Sequence, residues 1–186
     1  MKLLFLAFVF ILLTVHAKAQ TLKGSVKNFQ GYVALETSDG ERLLLPQWID
    51  SHKLVKDKDH ELLIEGSIRY IACPGEPETC PTGEIKKVRW MQYQNTSTDS
   101  RNLVYTGLLK RFSGAAVETR FLYDYVALEA GRNKIALPGF LDADLLVKFQ
   151  PQVTIIGDAR PVLCFDMSDA CGPDKLDSYT LIKLDF

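Results

Sequence analysis

The chain has 186 residues and an almost balanced charge, with 22 Lys and Arg against 23 Asp and Glu. A protein with so little net charge gains little affinity from counterion release on DNA or RNA, so nucleic acid is disfavoured as a partner. The sequence also has no long run of like charge that would create a local binding tail.

The N-terminus has the pattern of an export signal. Lys2 precedes an apolar run over 3–15, and Ala17-Lys18-Ala19 is a small-x-small cleavage site. The run is shorter than the roughly 20 residues needed to span a bilayer. We therefore expect a signal peptide at 1–19, a secreted or periplasmic location, and no membrane span in the mature chain. The segment resembles export signals of Bacteroidota, which often end in Ala-Gln, as Ala19-Gln20 does here.

Short β-rich segments follow the signal in a regular order. Alternating apolar residues, β-branched residues and turn formers such as Ser38-Asp39-Gly40 predict strands and hairpins. The predicted elements are strands over 21–29, 32–37 and 42–45, a helix over 48–56, strands over 62–71 and 84–93, a second helix over 140–149, and strands over 153–162 and 179–184. Gly24, inside the first strand, predicts a bend or bulge.

The two parts of the chain match each other in sequence. Residues 24–31 align with 107–114, and Tyr-Val-Ala-Leu-Glu occurs unchanged at 32–36 and at 125–129. Later matches keep the same order: Leu45-Pro46 with Leu137-Pro138, Leu54-Val55-Lys56 with Leu146-Val147-Lys148, and Ile64, Gly66 and Arg69 with Ile155, Gly157 and Arg160. The pattern predicts a duplicated unit, with one domain at 20–94, a linker at 95–101 and a second domain at 102–186. Two unrelated β segments of similar composition are the alternative.

The four cysteines follow the same duplication. They form a Cys-x6-Cys pair in each unit, Cys73 with Cys80 and Cys164 with Cys171. An even number of cysteines behind an export signal indicates disulfides, and four cysteines allow three pairings. The duplication favours the two local bridges. A zinc site is the weaker interpretation because no His lies close to the cysteines in sequence, so we expect no metal and no cofactor.

The order of strands and helix resembles the OB-fold, a five-stranded Greek-key barrel. The patterns that carry the resemblance are Gly24, the shared pentapeptide at 32–36, Leu45-Pro46 and Ile64-Glu65-Gly66, together with their repeats. The resemblance implies an all-β chain of two tandem five-stranded OB-fold-like barrels, each with a short helix and one local disulfide. It also implies that ligands bind on the second and third strands and the flanking loops. A β-sandwich is the alternative fold.

Aromatic residues are the main candidates for ligand contact. Tyr32 and Tyr125 open the second strand of each unit, and an insertion at 115–124 adds Phe121 and Tyr123. Such side chains can stack on sugars or bases, although they can equally fill the core or the seam between the units.

Arg69 and Arg160 recur at matching positions and are also candidate binding residues. Each could hold an anionic ligand or simply pair with a neighbouring carboxylate. The sequence contains none of the common nucleophile, zinc-protease or phosphate-loop motifs, so no catalytic residue is assigned.

These observations predict an exported, non-catalytic binding or interaction protein whose partner is a protein, a glycan or a small ligand. An inhibitor or assembly factor of an envelope complex is one alternative. An enzyme whose site forms only in space is another.

Overall fold

The computed structural model describes residues 19–56, 61–73, 80–94, 102–115, 122–160 and 172–186. The predicted signal peptide up to residue 18, the predicted linker, and Cys164 with Cys171 lie outside these ranges. We refer to residues 19–94 as the first half and residues 102–186 as the second half.

The described residues are mostly β-structure with two short helices, so the predicted all-β class is confirmed. The first half contains β1 (Gln20–Phe29), β2 (Tyr32–Thr37), β3 (Arg42–Leu44), α1 (Ser51–Leu54), β4 (Glu61–Tyr70) and β5 (Gly83–Gln94). The second half contains β6 (Leu103–Ala115), β7 (Leu122–Ala130), β8 (Asn133–Ile135), α2 (Ala143–Leu146), β9 (Gln152–Arg160) and β10 (Lys175–Asp185). No helix among the described residues is long and apolar enough to cross a membrane.

All ten strands belong to one sheet, in the order β3-β2-β1-β4-β5-β10-β9-β6-β7-β8. β3 also pairs in parallel with β5, which closes the strands of the first half into a ring. In the second half, Ile135 forms a single parallel bridge with Asp174 at the matching place. The structure therefore has one continuous sheet where two separate barrels were predicted, because β5 and β10 pair with each other.

A glycine lies at the bend of the first strand in each half. β1 pairs with β4 as far as Gly24 and with β2 from Gly24 onward, and β6 changes partner at Leu108, next to Gly107. A Cβ atom on Gly24 would overlap the carbonyl oxygen of Glu36, and one on Gly107 would overlap that of Glu129. The missing side chain therefore lets two backbones approach closely.

Both helices begin at an aspartate. The Asp50 carboxylate accepts a hydrogen bond from the Lys53 amide at 3.3 Å, and the Asp142 carboxylate accepts one from the Leu145 amide at 2.9 Å. This side chain satisfies one of the free amides of the first turn and fixes the start of each helix. The helices are shorter than predicted because the residues just before each aspartate take part in the contact between the halves.

That contact, which we call the joint, is reciprocal. Ile49 forms an antiparallel bridge with Leu141, and these two residues occupy matching positions of the two halves. The Asp50 amide donates to the Phe140 carbonyl at 2.7 Å, and the Asp142 amide donates to the Trp48 carbonyl at 2.9 Å. Each half therefore donates and accepts an equivalent backbone hydrogen bond, as subunits do across a two-fold dimer interface.

The strands at the joint carry buried apolar side chains. In the β5–β10 pairing Met91 lies opposite Leu184 and Tyr93 lies opposite Ile182, and all four are buried. The Tyr93 ring also lies 4.9 Å from the ring of Phe140, which belongs to the other half. Because each half covers apolar surface of the other, we expect the described structure to unfold as one unit.

One disulfide lies within the described residues. It joins Cys73, just after β4, to Cys80, just before β5, with their Cα atoms 6.0 Å apart. The predicted local bridge of the first half is confirmed.

Candidate functional site

The outer surface of β1, β2 and β3 carries an ordered set of polar and aromatic side chains. The Phe29 ring stacks on the Tyr32 ring with 5.3 Å between centroids, and the Arg42 guanidinium lies 4.7 Å from the centre of the Phe29 ring. Beside them Lys27 forms an ion pair with Glu36. We call these five residues the first face.

The register of the strands explains why these side chains meet. Phe29 lies directly opposite Tyr32, and Glu36 lies opposite Arg42 on the next strand. Leu35 and Leu43, on alternate positions, are fully buried in the core, so the side chains of the first face point away from it. Cross-strand aromatic and charged pairs of this kind each contribute about 0.2–1 kcal/mol to a sheet.

The second half presents a matching set, which we call the second face. The Phe112 ring stacks on the Tyr125 ring at 5.6 Å, and the Lys134 ammonium lies 4.9 Å from the centre of the Phe112 ring. Lys110 forms an ion pair with Glu129. Every position of the first face therefore has a partner of the same chemical type in the second.

The first face includes a polar atom that the described structure does not satisfy. The Tyr32 hydroxyl oxygen is buried and accepts or donates no hydrogen bond within the described residues. Buried polar atoms in native proteins are almost always paired, so this hydroxyl is an exception within the described residues.

Only some of the predicted site residues lie on the two faces. Tyr32 and Tyr125 are half-buried on the two faces, while Phe121 and the side chain of Tyr123 lie outside the described part of the chain. Sequence reasoning missed Arg42 and Lys134. The signal was present, because each is a basic residue three positions before the Leu-Pro pair that the halves share.

Arg69 and Arg160 lie apart from the faces, on β4 and β9. Arg69 forms an ion pair with Glu84, and Arg160 forms one with Asp177. Their side chains are 70% and 76% exposed. These contacts match the alternative interpretation, in which each arginine pairs with a carboxylate, and exposed pairs of this kind contribute little to stability.

Glu84, which pairs with Arg69, also pairs with Lys86. The Lys86 ammonium lies 2.9 Å from one of the Glu84 carboxylate oxygens, and Arg69 contacts the other oxygen. The hydrogen bond from Lys86 is the largest effect and lowers the pKa of Glu84 below its ordinary value of 4.5; burial opposes it, and the positive charges of Arg69 and Lys86 lower the pKa further.

The lowered pKa of Glu84 gives a pH prediction. A carboxylate with a lower pKa in the folded state stabilises the fold above its ordinary pKa, and this stabilisation is lost as the pH falls through the folded value. We therefore expect Glu84→Gln to lose less stability than the wild type between neutral pH and about pH 3. Urea unfolding at a series of pH values measures this, with Asp39→Asn as a control of equal charge change. Parallel acid profiles for the wild type and Glu84→Gln would contradict it.

The described residues contain no cluster of three or more potential metal ligands. No protein-family model, no curated protein and no solved structure matches the chain. Function is therefore inferred from the geometry of the two faces.

Proposed function

We propose that this chain is an exported, non-catalytic binding protein made of two OB-like units, each of which presents one face to a partner. The single observation that carries the proposal is the repetition of the face. Lys, Phe, Tyr, Glu and a basic residue occupy matching outward positions in both halves, and in both the cation lies over the stacked pair.

Outside the faces Arg69 and Arg160 repeat, each paired with a carboxylate, but several other outward positions do not repeat. Thr21 and Lys23 of the first half are matched by Val104 and Thr106 in the second, and Glu65 is matched by Ile156. A requirement for sheet stability alone would apply to these outward positions as much as to the faces. The selective repetition therefore favours a role in contact with a partner.

Strand order supports the OB-like part of the proposal. In the first half β1, β2, β3, β5 and β4 follow one another around a closed ring. The first face lies on the β2–β3 side of this ring, which is the side that OB barrels use for ligands. The local disulfide fits an oxidising compartment outside the cytosol, in agreement with the proposed export.

Substitution of Tyr32 and Tyr125 tests whether the faces bind a partner. We expect Tyr32→Ala combined with Tyr125→Ala to weaken partner binding about tenfold or more, because truncating a central aromatic contact usually costs over 1 kcal/mol. The measurement is affinity capture with crosslinking from the native envelope fraction, followed by titration of the captured species. Far-UV circular dichroism checks that the variant remains folded.

Thr21→Ala combined with Thr106→Ala is the matched control. These residues also point outward from β1 and β6, but they lie outside the faces. A captured species that the wild type and the control retain, and that the tyrosine variant loses, supports the proposal. If every captured species binds all three proteins equally, the faces are not the contact surface.

A further inference from the structure

Among the described residues, nothing pairs with one edge of the first part of β6. Residues 103–107 pair with β9 on one side, whereas pairing with β7 begins only at Leu108. An open groove runs along the other side, between residues 103–106 and the turn formed by Ala130, Gly131 and Asn133. Within the described part of the chain no strand pairs with the backbone amides and carbonyls that face this groove, so they can pair with another strand.

The side chains along this edge are apolar and exposed. Leu103 is 49% exposed, Val104 is 63% exposed and Leu108 is 47% exposed. Tyr105 points into the core, so Val104 and Leu108 lie together on the outer side of the strand. A short strand segment with an unpaired edge and no charged side chain lacks the usual protection against edge-to-edge association.

The matching edge of the first half has that protection. β1 likewise pairs only with β4 before Gly24, but Gln20, Thr21 and Lys23 stand where β6 has Leu103, Val104 and Thr106. The Lys23 ammonium is exposed and pairs with Glu61 at 2.9 Å. If two copies paired through this edge, two Lys23 ammonium groups would meet on one surface, which is unfavourable.

We propose that two copies of this chain associate through the β6 edge, by antiparallel pairing of residues 103–107 of one copy with the same residues of the other. The segment is uncharged, so this pairing brings no like charges together. It places Val104 and Thr106 of both copies on one outer surface and covers the exposed apolar side chains.

The chain already uses this kind of contact within itself. β5 and β10 are matching strands of the two halves, and they pair antiparallel about Gln92 and Lys183. An antiparallel pairing of equivalent strands is self-complementary, since each donates and accepts the same bonds. The β6 edge offers the same geometry to a second copy, with no charged residue in the paired segment.

The test is the mass of the exported protein by sedimentation velocity over a wide concentration range. We expect a dimer that dissociates on dilution. Val104→Thr combined with Thr106→Lys, which installs the residues of β1, is expected to weaken association at least tenfold. Asn28→Lys adds the same charge at an exposed position of β1, away from the edge, and should associate like the wild type.

Hydrogen exchange on the wild type provides a second measurement, which does not depend on how the variant folds. Amides of residues 103–107 should become more protected as protein concentration rises. The proposal is overturned if the wild type keeps the mass of one chain at every concentration, or if the edge variant associates as strongly as the wild type. It is equally overturned if this edge gains protection only from a strand of a different protein.

Discussion

Gly107→Ala is expected to lower the free energy of unfolding by about 3 kcal/mol or more. A Cβ atom at this position would overlap the carbonyl oxygen of Glu129, which belongs to the neighbouring strand. A backbone group cannot move aside as the end of a flexible side chain can, so the substitution must separate β6 from β7 or straighten the bend. Overpacking in a well-packed region typically costs about 1–3 kcal/mol, and a backbone collision lies at or above the upper end.

Guanidinium chloride unfolding measures this loss, and Gly24→Ala is expected to behave alike because its Cβ would overlap the Glu36 carbonyl. Gly139→Ala is the control. No heavy atom lies within 4 Å of the Cβ position at Gly139, so its effect should stay within about 0.5 kcal/mol. A Gly107→Ala protein as stable as the Gly139→Ala protein would show that the close approach is not needed for the fold.

Leu146→Ala is expected to cost about 2–5 kcal/mol and to shift the unfolding of the first half as well as the second. Leu146 is fully buried in α2, and the joint places buried side chains of each half against the other. If one half unfolds, the apolar surface that it covers on the other half becomes exposed to water. The two halves should therefore share one transition.

The two tryptophans make this measurable. Trp48 and Trp90 both lie in the first half, and Trp48 also packs near Phe186 of the second. Tryptophan fluorescence therefore follows the first half together with the joint, while far-UV circular dichroism follows the whole sheet. We expect the unfolding midpoint of Leu146→Ala to shift by the same amount whether it is followed by fluorescence or by circular dichroism. For Leu54→Ala, the matching substitution in α1, the two midpoints should also shift together. A fluorescence midpoint that stays at its wild-type value in Leu146→Ala would mean that the halves unfold separately.

Local elements could be predicted well because short-range chemistry determines them. The strand at 32–37 was predicted with the bounds that the structure has, and β4 and β5 differ from prediction by one residue at each end. Alternating burial and turn formers specify such strands directly. The helices were predicted too long, because the apolar residues before Asp50 and Asp142 serve the joint and not the helix.

The joint itself could not be predicted from local patterns. Pairing of β5 with β10 depends on which strand edges remain open after each half has formed, and the alternation of Met91 and Tyr93 is equally compatible with an edge strand. Only part of each face was predicted from the sequence. Aromatic strand residues suggested Tyr32 and Tyr125, whereas the cations over Phe29 and Phe112 emerge only when three strands lie side by side.

The strand order determines how the two faces are connected. β1, β2 and β3 stand at one end of the sheet and β6, β7 and β8 at the other, with the paired β5 and β10 between them. The two faces are thus carried on a shared rigid frame instead of a flexible tether. If the faces bind a partner as proposed, a target that displays the same group repeatedly would engage both of them, and avidity would grow without the entropic cost of ordering a linker.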